Sequence, residues 1–119
     1  VVSGYFTTPA VREAEMADFY GALVVEPALP TVVAGDFNES ASGGALDYLA
    51  ERGFENALPR HAGSAPTWRW QTSVGAISMQ LDHVMVAGAE PVAARVVETG
   101  NSDHLPVVTR LALPARTPE

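Results

Sequence analysis

The sequence predicts an α+β domain with mixed strand pairing. One amphipathic helical stripe and one short helical segment fall in the first half of the chain. Apolar, β-branched runs supply strands at Thr31–Ala34 and near Met79–Val86, Ala93–Glu98 and Val107–Leu113. Their order, strand, helix, strand, helix and then several strands, is that of an α+β fold. At 119 residues the chain is one domain at most, able to bury roughly two-thirds of its extended surface.

Val1-Val2-Ser3-Gly4-Tyr5 reads as a first strand. Thr8 then offers an N-cap and Pro9 a first helical position, where the missing N–H costs nothing. Met16, Phe19, Tyr20 and Leu23 recur at spacings of three and four, giving a helix to about Val24. Glu13, Glu15 and Asp18 take its other faces, and Pro27 and Pro30 punctuate the link to the strand at Thr31–Ala34. Ser42-Gly43-Gly44 makes a flexible turn into a short helix carrying Leu46 and Leu49, which Gly53 stops. Residues 55–66, with two prolines and Gly63, read as an exposed loop. Thr67–Gln71 is a short aromatic strand, Ser73–Ala76 a turn, and the tail Pro114–Glu119 frays. No repeat and no internal domain boundary is visible.

Composition narrows the chemistry. The 47% hydrophobic content is that of a globular protein, and no apolar run approaches the length of a membrane span. No signal peptide is visible, and the compartment stays open. Without cysteine there is neither a disulfide framework nor a thiolate metal site. The net charge of −7 opposes a generic surface for nucleic acid, which would need local arginines or a further region to supply a positive groove. It suits a site that gathers carboxylates around a cation.

Val32-Val33-Ala34-Gly35-Asp36-Phe37-Asn38 carries the most information. If the chain stays extended, Asp36 and Asn38 point one way and Phe37 the other, delivering a carboxylate and a carboxamide to the rim of a sheet. A strand followed by an Asx-type turn is the plain structural alternative. Leu81-Asp82-His83-Val84 places an acid within an apolar run, and Asn101-Ser102-Asp103-His104-Leu105 sets an Asp-His pair ahead of a strand. On structure alone Asp82 could pair within a sheet, and His104 could be a satisfied loop histidine. His83 alternates with Asp82 and points away from the site.

These three blocks, in this order, resemble the endonuclease/exonuclease/phosphatase superfamily, marked by a Gly-Asp-x-Asn turn, an (Ile/Leu)-Asp-(His/Tyr) strand and a Ser-Asp-His turn. The resemblance implies a four-layer α/β/β/α sandwich of about twice this length, of which residues 1–119 form the C-terminal part. One mixed sheet with helices on one face would leave its other face open, to be covered by a missing N-terminal half or by another copy of the chain. It also implies a metal-dependent phosphoesterase, with a nuclease slightly preferred, a lipid or inositol phosphatase as the alternative, and an inactive interaction module as the rival. Asp36 would orient and deprotonate the attacking water, and Asn38 would hold it or a phosphoryl oxygen. Asp103 would contact the metal, His104 would stabilise the phosphorus centre, and Asp82 would bond its other ring nitrogen. Hard oxygen donors favour Mg²⁺ or Mn²⁺, and His61, His83 and His104 lack a tight zinc spacing.

Two departures stand out. The family's principal metal-binding glutamate belongs to the N-terminal half, and neither Glu13, Glu15 nor Glu26 has its context. Where many members carry a histidine after the opening strand, this chain has Ser3-Gly4-Tyr5-Phe6. Tyr5 is either a phosphate-contacting hydroxyl or a buried strand tyrosine. In Thr67-Trp68-Arg69-Trp70 the tryptophans could stack on a base, but core packing of at least one is favoured.

Overall fold

The structure, a computed structural model, describes residues 8–22 and 29–115. It is α+β, with helices α1 (Pro9–Ala22), α2 (Gly44–Ala50) and α3 (Ala57–Ala62). The strands are β1 (Thr31–Asp36), β2 (Glu55–Asn56), β3 (Trp68–Thr72), β4 (Gly75–Met79), β5 (Asp82–Ala87), β6 (Glu90–Val96) and β7 (Val107–Ala112). The expected first strand and the link before Leu29 lie outside the described residues.

The α1 start is as the sequence dictates: Thr8 Oγ1 accepts from Val11 N at 3.2 Å. Met16 and Tyr20 pack on a core of Leu46, Leu49, Phe54 and Met85, whereas Phe19 on the same predicted stripe is exposed. Gly43 and Gly44 do more than turn the chain. A Cβ at Gly44 would overlap the Pro9 carbonyl, and one at Gly43 would overlap the Glu39 side chain. Both glycines therefore permit close approach at the entry to α2.

Strand β5 is the spine. It pairs antiparallel with β1 from Thr31↔Ala87 to Asp36↔Asp82, and with β2 at Glu55↔Val86. Its alternation serves two cores. Met85 and Ala87 join the α1–α2 cluster, while Val84 and Val86 join Ala57, Leu58 and Ala94 beneath α3 and β6. A strand buried on both faces needs apolar residues at nearly every position, and Val84-Met85-Val86 supplies them.

Several expectations are corrected. In place of one mixed sheet, the described strands form three small sheets, β1-β5-β2, β3-β4 and β6-β7, with antiparallel pairing throughout. Residues 55–66 are not a loop: they hold β2 and α3, with Ala57 and Leu58 buried. Asn56 caps α3 by accepting from Leu58 N, and Pro59 sits in its first turn, where an N–H has no helical partner. The expected strand Met79–Val86 is two strands, β4 and β5, broken at Gln80 and Leu81. Neither tryptophan is buried; Trp70 is 55% exposed on the β3–β4 hairpin.

Candidate active site

The register that pairs Asp36 with Asp82 sets two carboxylates opposite one another where β1 ends and β5 begins. Like charges so placed repel. His104 relieves them: its Nδ1–H donates to Asp82 Oδ2 at 2.8 Å, and its Nε2 lies 3.7 Å from Asp36 Oδ2. The second distance exceeds a hydrogen bond, so Nε2 remains available to another acceptor. The imidazole pKa is raised, chiefly by the bond to Asp82 and further by the charges of Asp82, Asp36 and Asp103, with burial opposing.

Long-range backbone bonds fix His104. Arg69 N donates to the Asp103 carbonyl at 2.9 Å and Leu105 N to the Thr67 carbonyl at 2.7 Å, laying residues 103–105 beside β3. The fully buried Thr67 hydroxyl accepts from Leu81 N and Asp82 N, turning the chain from β4 into β5 where Asp82 emerges. Asp103 is next to the cluster in sequence, but its Oδ2 accepts from Trp68 Nε1 at 3.1 Å. Trp68 is thus a polar anchor for the Asp103 carboxylate.

The Asp36–Asn38 segment is both a strand end and an Asx turn. Asp36 Oδ1 accepts from Asn38 N at 2.8 Å, and Asn38 has a left-handed φ of 54°. That backbone ends the simple alternation expected of Asp36 and Asn38, and asparagine tolerates it better than most residues. Phe37 turns inward, edge-on to the His83 ring at 5.8 Å. His83 is buried, as its alternation with Asp82 requires: Nε2–H donates to the Glu39 carbonyl at 2.7 Å and Nδ1 accepts from Asn56 Nδ2 at 3.0 Å.

Glu39, which no local pattern singles out, is the second anchor of this turn. Its buried carboxylate accepts from Arg12 Nε on α1 at 2.7 Å and from Leu46 N on α2 at 2.8 Å. Those partners lie 27 and 7 residues away, which hides the role of Glu39 from any reading by window.

The structure therefore brings Asp36, Asp82 and His104 together, with Asn38 and Asp103 adjoining in sequence. Tyr5 lies outside the described residues. One ligand atom from each of Asp36, Asp82 and His104 lies within 4.8 Å of the others, a spacing that could hold a metal ion. No helix among the described residues is long and apolar enough to cross a membrane.

A carboxylate pair and an imidazole thus meet at one rim, reached from a Gly-Asp-x-Asn turn. The chain belongs to the endonuclease/exonuclease/phosphatase family, which it matches over residues 2–104. It is also similar in fold to a protein of Enterococcus faecalis V583, described as functionally unknown and conserved. The TM-score is 0.70 at 19% identity, over 90% of this chain and 46% of that one. The chain thus spans less than half the length of that structure. No curated protein sequence matches this chain.

Proposed function

We propose that this chain carries the water-activating side of a divalent-metal-dependent phosphoesterase. The supporting observation is the Asp82–His104–Asp36 arrangement: an imidazole oriented by one carboxylate, with its second nitrogen open beside another. In this reading Asp36 orients a water and takes its proton, and Asn38 holds the water or a phosphoryl oxygen. The water oxygen bonds to phosphorus as the opposite P–O bond breaks, and the departing oxygen gains a proton from solvent to leave as the alcohol. His104, kept cationic by Asp82, donates from Nε2 to the phosphoryl oxygen that gathers charge. Tyr5, outside the described residues, is the further hydroxyl this reading would use against phosphate.

The donor chemistry fits Mg²⁺ or Mn²⁺. Cysteine is absent, carboxylate oxygens dominate, and with Asp82 bonded to His104 and Asp36 given to the water, Asp103 is the acid that would meet a hard cation. When bound, such an ion would neutralise phosphate charge as a Lewis acid.

We read residues 1–119 as the C-terminal part of one domain; that they are part of a larger one is supported by the 46% coverage of the similar structure and by the exposed Val32, Trp70, Ile77 and Val108. A second sheet, from a further region or another copy, would cover that apolar surface. The net charge of −7 supports a small phosphate ester over a polyanion. Hydrolysis of a p-nitrophenyl phosphodiester by the 119-residue chain with Mg²⁺ is expected to be slow, because the family's metal-binding glutamate is unmatched. Asp36→Ala and His104→Ala should each lower kcat by about 10²–10³. Full activity in either variant, or no hydrolysis above buffer by the parent chain, overturns the assignment.

A further inference from the structure

One buried polar ring has no part in the hydrolytic chemistry above. His83 follows Asp82 on β5, faces the other side of the strand and is 1% exposed. Its neighbours dictate where its ring proton sits. Asn56 Oδ1 accepts from Leu58 N at 3.2 Å where α3 begins. The amide nitrogen Nδ2 is therefore the atom turned toward the imidazole, 3.0 Å from Nδ1. An amide nitrogen only donates, so Nδ1 is the bare, accepting nitrogen and the proton is on Nε2. That N–H donates to the Glu39 carbonyl at 2.7 Å. The cap of α3 thereby fixes which end of His83 meets the turn after β1.

The ring holds that turn on both sides of Asn38. Phe37, the residue before, packs its ring edge-on to the imidazole at 5.8 Å. Glu39, the residue after, gives up its carbonyl to Nε2–H. Between them Asn38 is exposed, with a left-handed φ of 54° and its N–H on Asp36 Oδ1. The Asn38 carboxamide makes no hydrogen bond to any described residue. Its aim is thus set by the backbone that carries it, unlike the His104 ring, which Asp82 grips directly.

We propose that His83 is the positioning residue for Asn38, clamping the turn through Phe37 on one side and the Glu39 carbonyl on the other. The proposal rests on the phosphoesterase reading for the role of Asn38, and adds the group that aims it. His83 itself touches no substrate. Loss of its N–H would leave the Glu39 carbonyl unpaired in the interior and let the backbone next to Asn38 rotate.

The first test needs no variant. Long-range ¹H–¹⁵N correlation NMR of the 119-residue chain should find the His83 proton on Nε2 and none on Nδ1. A neutral ring protonated on Nδ1 cannot hold the Glu39 carbonyl and overturns the proposal. The second test is hydrolysis of a p-nitrophenyl phosphodiester with Mg²⁺. His83→Leu should lower kcat about tenfold or more with KM little changed, the effect of a misaimed group. His83→Gln, whose amide N–H can reach the same carbonyl, should recover most of that loss. In an Asn38→Gly background His83→Leu should cost little more, because the carboxamide it aims is gone. An equal fractional loss in both backgrounds is that of a general structural residue and overturns the proposal, as does full kcat in His83→Leu. Either result leaves the phosphoesterase reading standing. No hydrolysis above buffer by the parent chain overturns that reading, and the role of His83 with it.

Discussion

Individual residues at the rim each carry an identifiable electrostatic or backbone burden. The His104 pKa is raised mainly through its bond to Asp82, so its folded value stands above the ordinary 6.5 or so of the unfolded chain. A raised value of this kind gives stability that is full below about pH 6.5 and lost as pH rises through the folded pKa. Urea unfolding of the parent chain and of Asp82→Asn should therefore show a stability gap that is widest below about pH 6.5 and narrows as the pH rises through the raised His104 pKa. Thr67 carries a different burden, because its hydroxyl satisfies two backbone N–H groups in the interior. Thr67→Val keeps the shape and orphans both, and should cost about 1–3 kcal/mol by urea unfolding. Asn38 holds a left-handed backbone. Asn38→Gly should leave stability nearly unchanged while removing the carboxamide, whereas Asn38→Val should lose about 1–3 kcal/mol.

Among the elements, β1 and β5 set the register of the site and the helices hold that register in place. Asp36, Asp82 and His104 were legible because their blocks are local, each an acid or an Asp-His pair at the end of an apolar run. What escaped the sequence was bonding at a distance. Pro59, Gly63 and Pro66 made residues 55–66 read as a loop, yet Pro59 occupies the one part of a helix that tolerates it, and Leu58 is fully buried. Leu58→Ala should thus cost about 2–5 kcal/mol, the loss of a core leucine, whereas a leucine in a solvated loop would cost little. The break between β4 and β5 escaped for the same reason, since the Thr67 hydroxyl that bends the chain lies 14 and 15 residues before the amides it binds. Glu39 ties the Asp36–Asn38 turn to α1 and α2 through partners no periodicity reveals, and Glu39→Ala should loosen that turn as well as destabilise the fold.

At the scale of the whole molecule, chemistry and architecture differ in completeness. The Asp36, Asp82 and His104 cluster is assembled within this chain, whereas Val32, Trp70, Ile77 and Val108 lie exposed on the described residues. Apolar surface of that kind favours association. Sedimentation of the 119-residue chain should show concentration-dependent self-association that Trp70→Glu reduces. Composition had already indicated an acidic molecule without thiols, and the site conforms to that chemistry, using carboxylates and one imidazole.

The most direct measurement is an NMR titration of the His104 imidazole in the parent chain and in Asp82→Asn. The expected result is a pKa above the ordinary histidine value in the parent, falling back when Asp82 loses its charge. An ordinary His104 pKa in the parent, or a raised one indifferent to Asp82, would contradict the pairing on which the site depends.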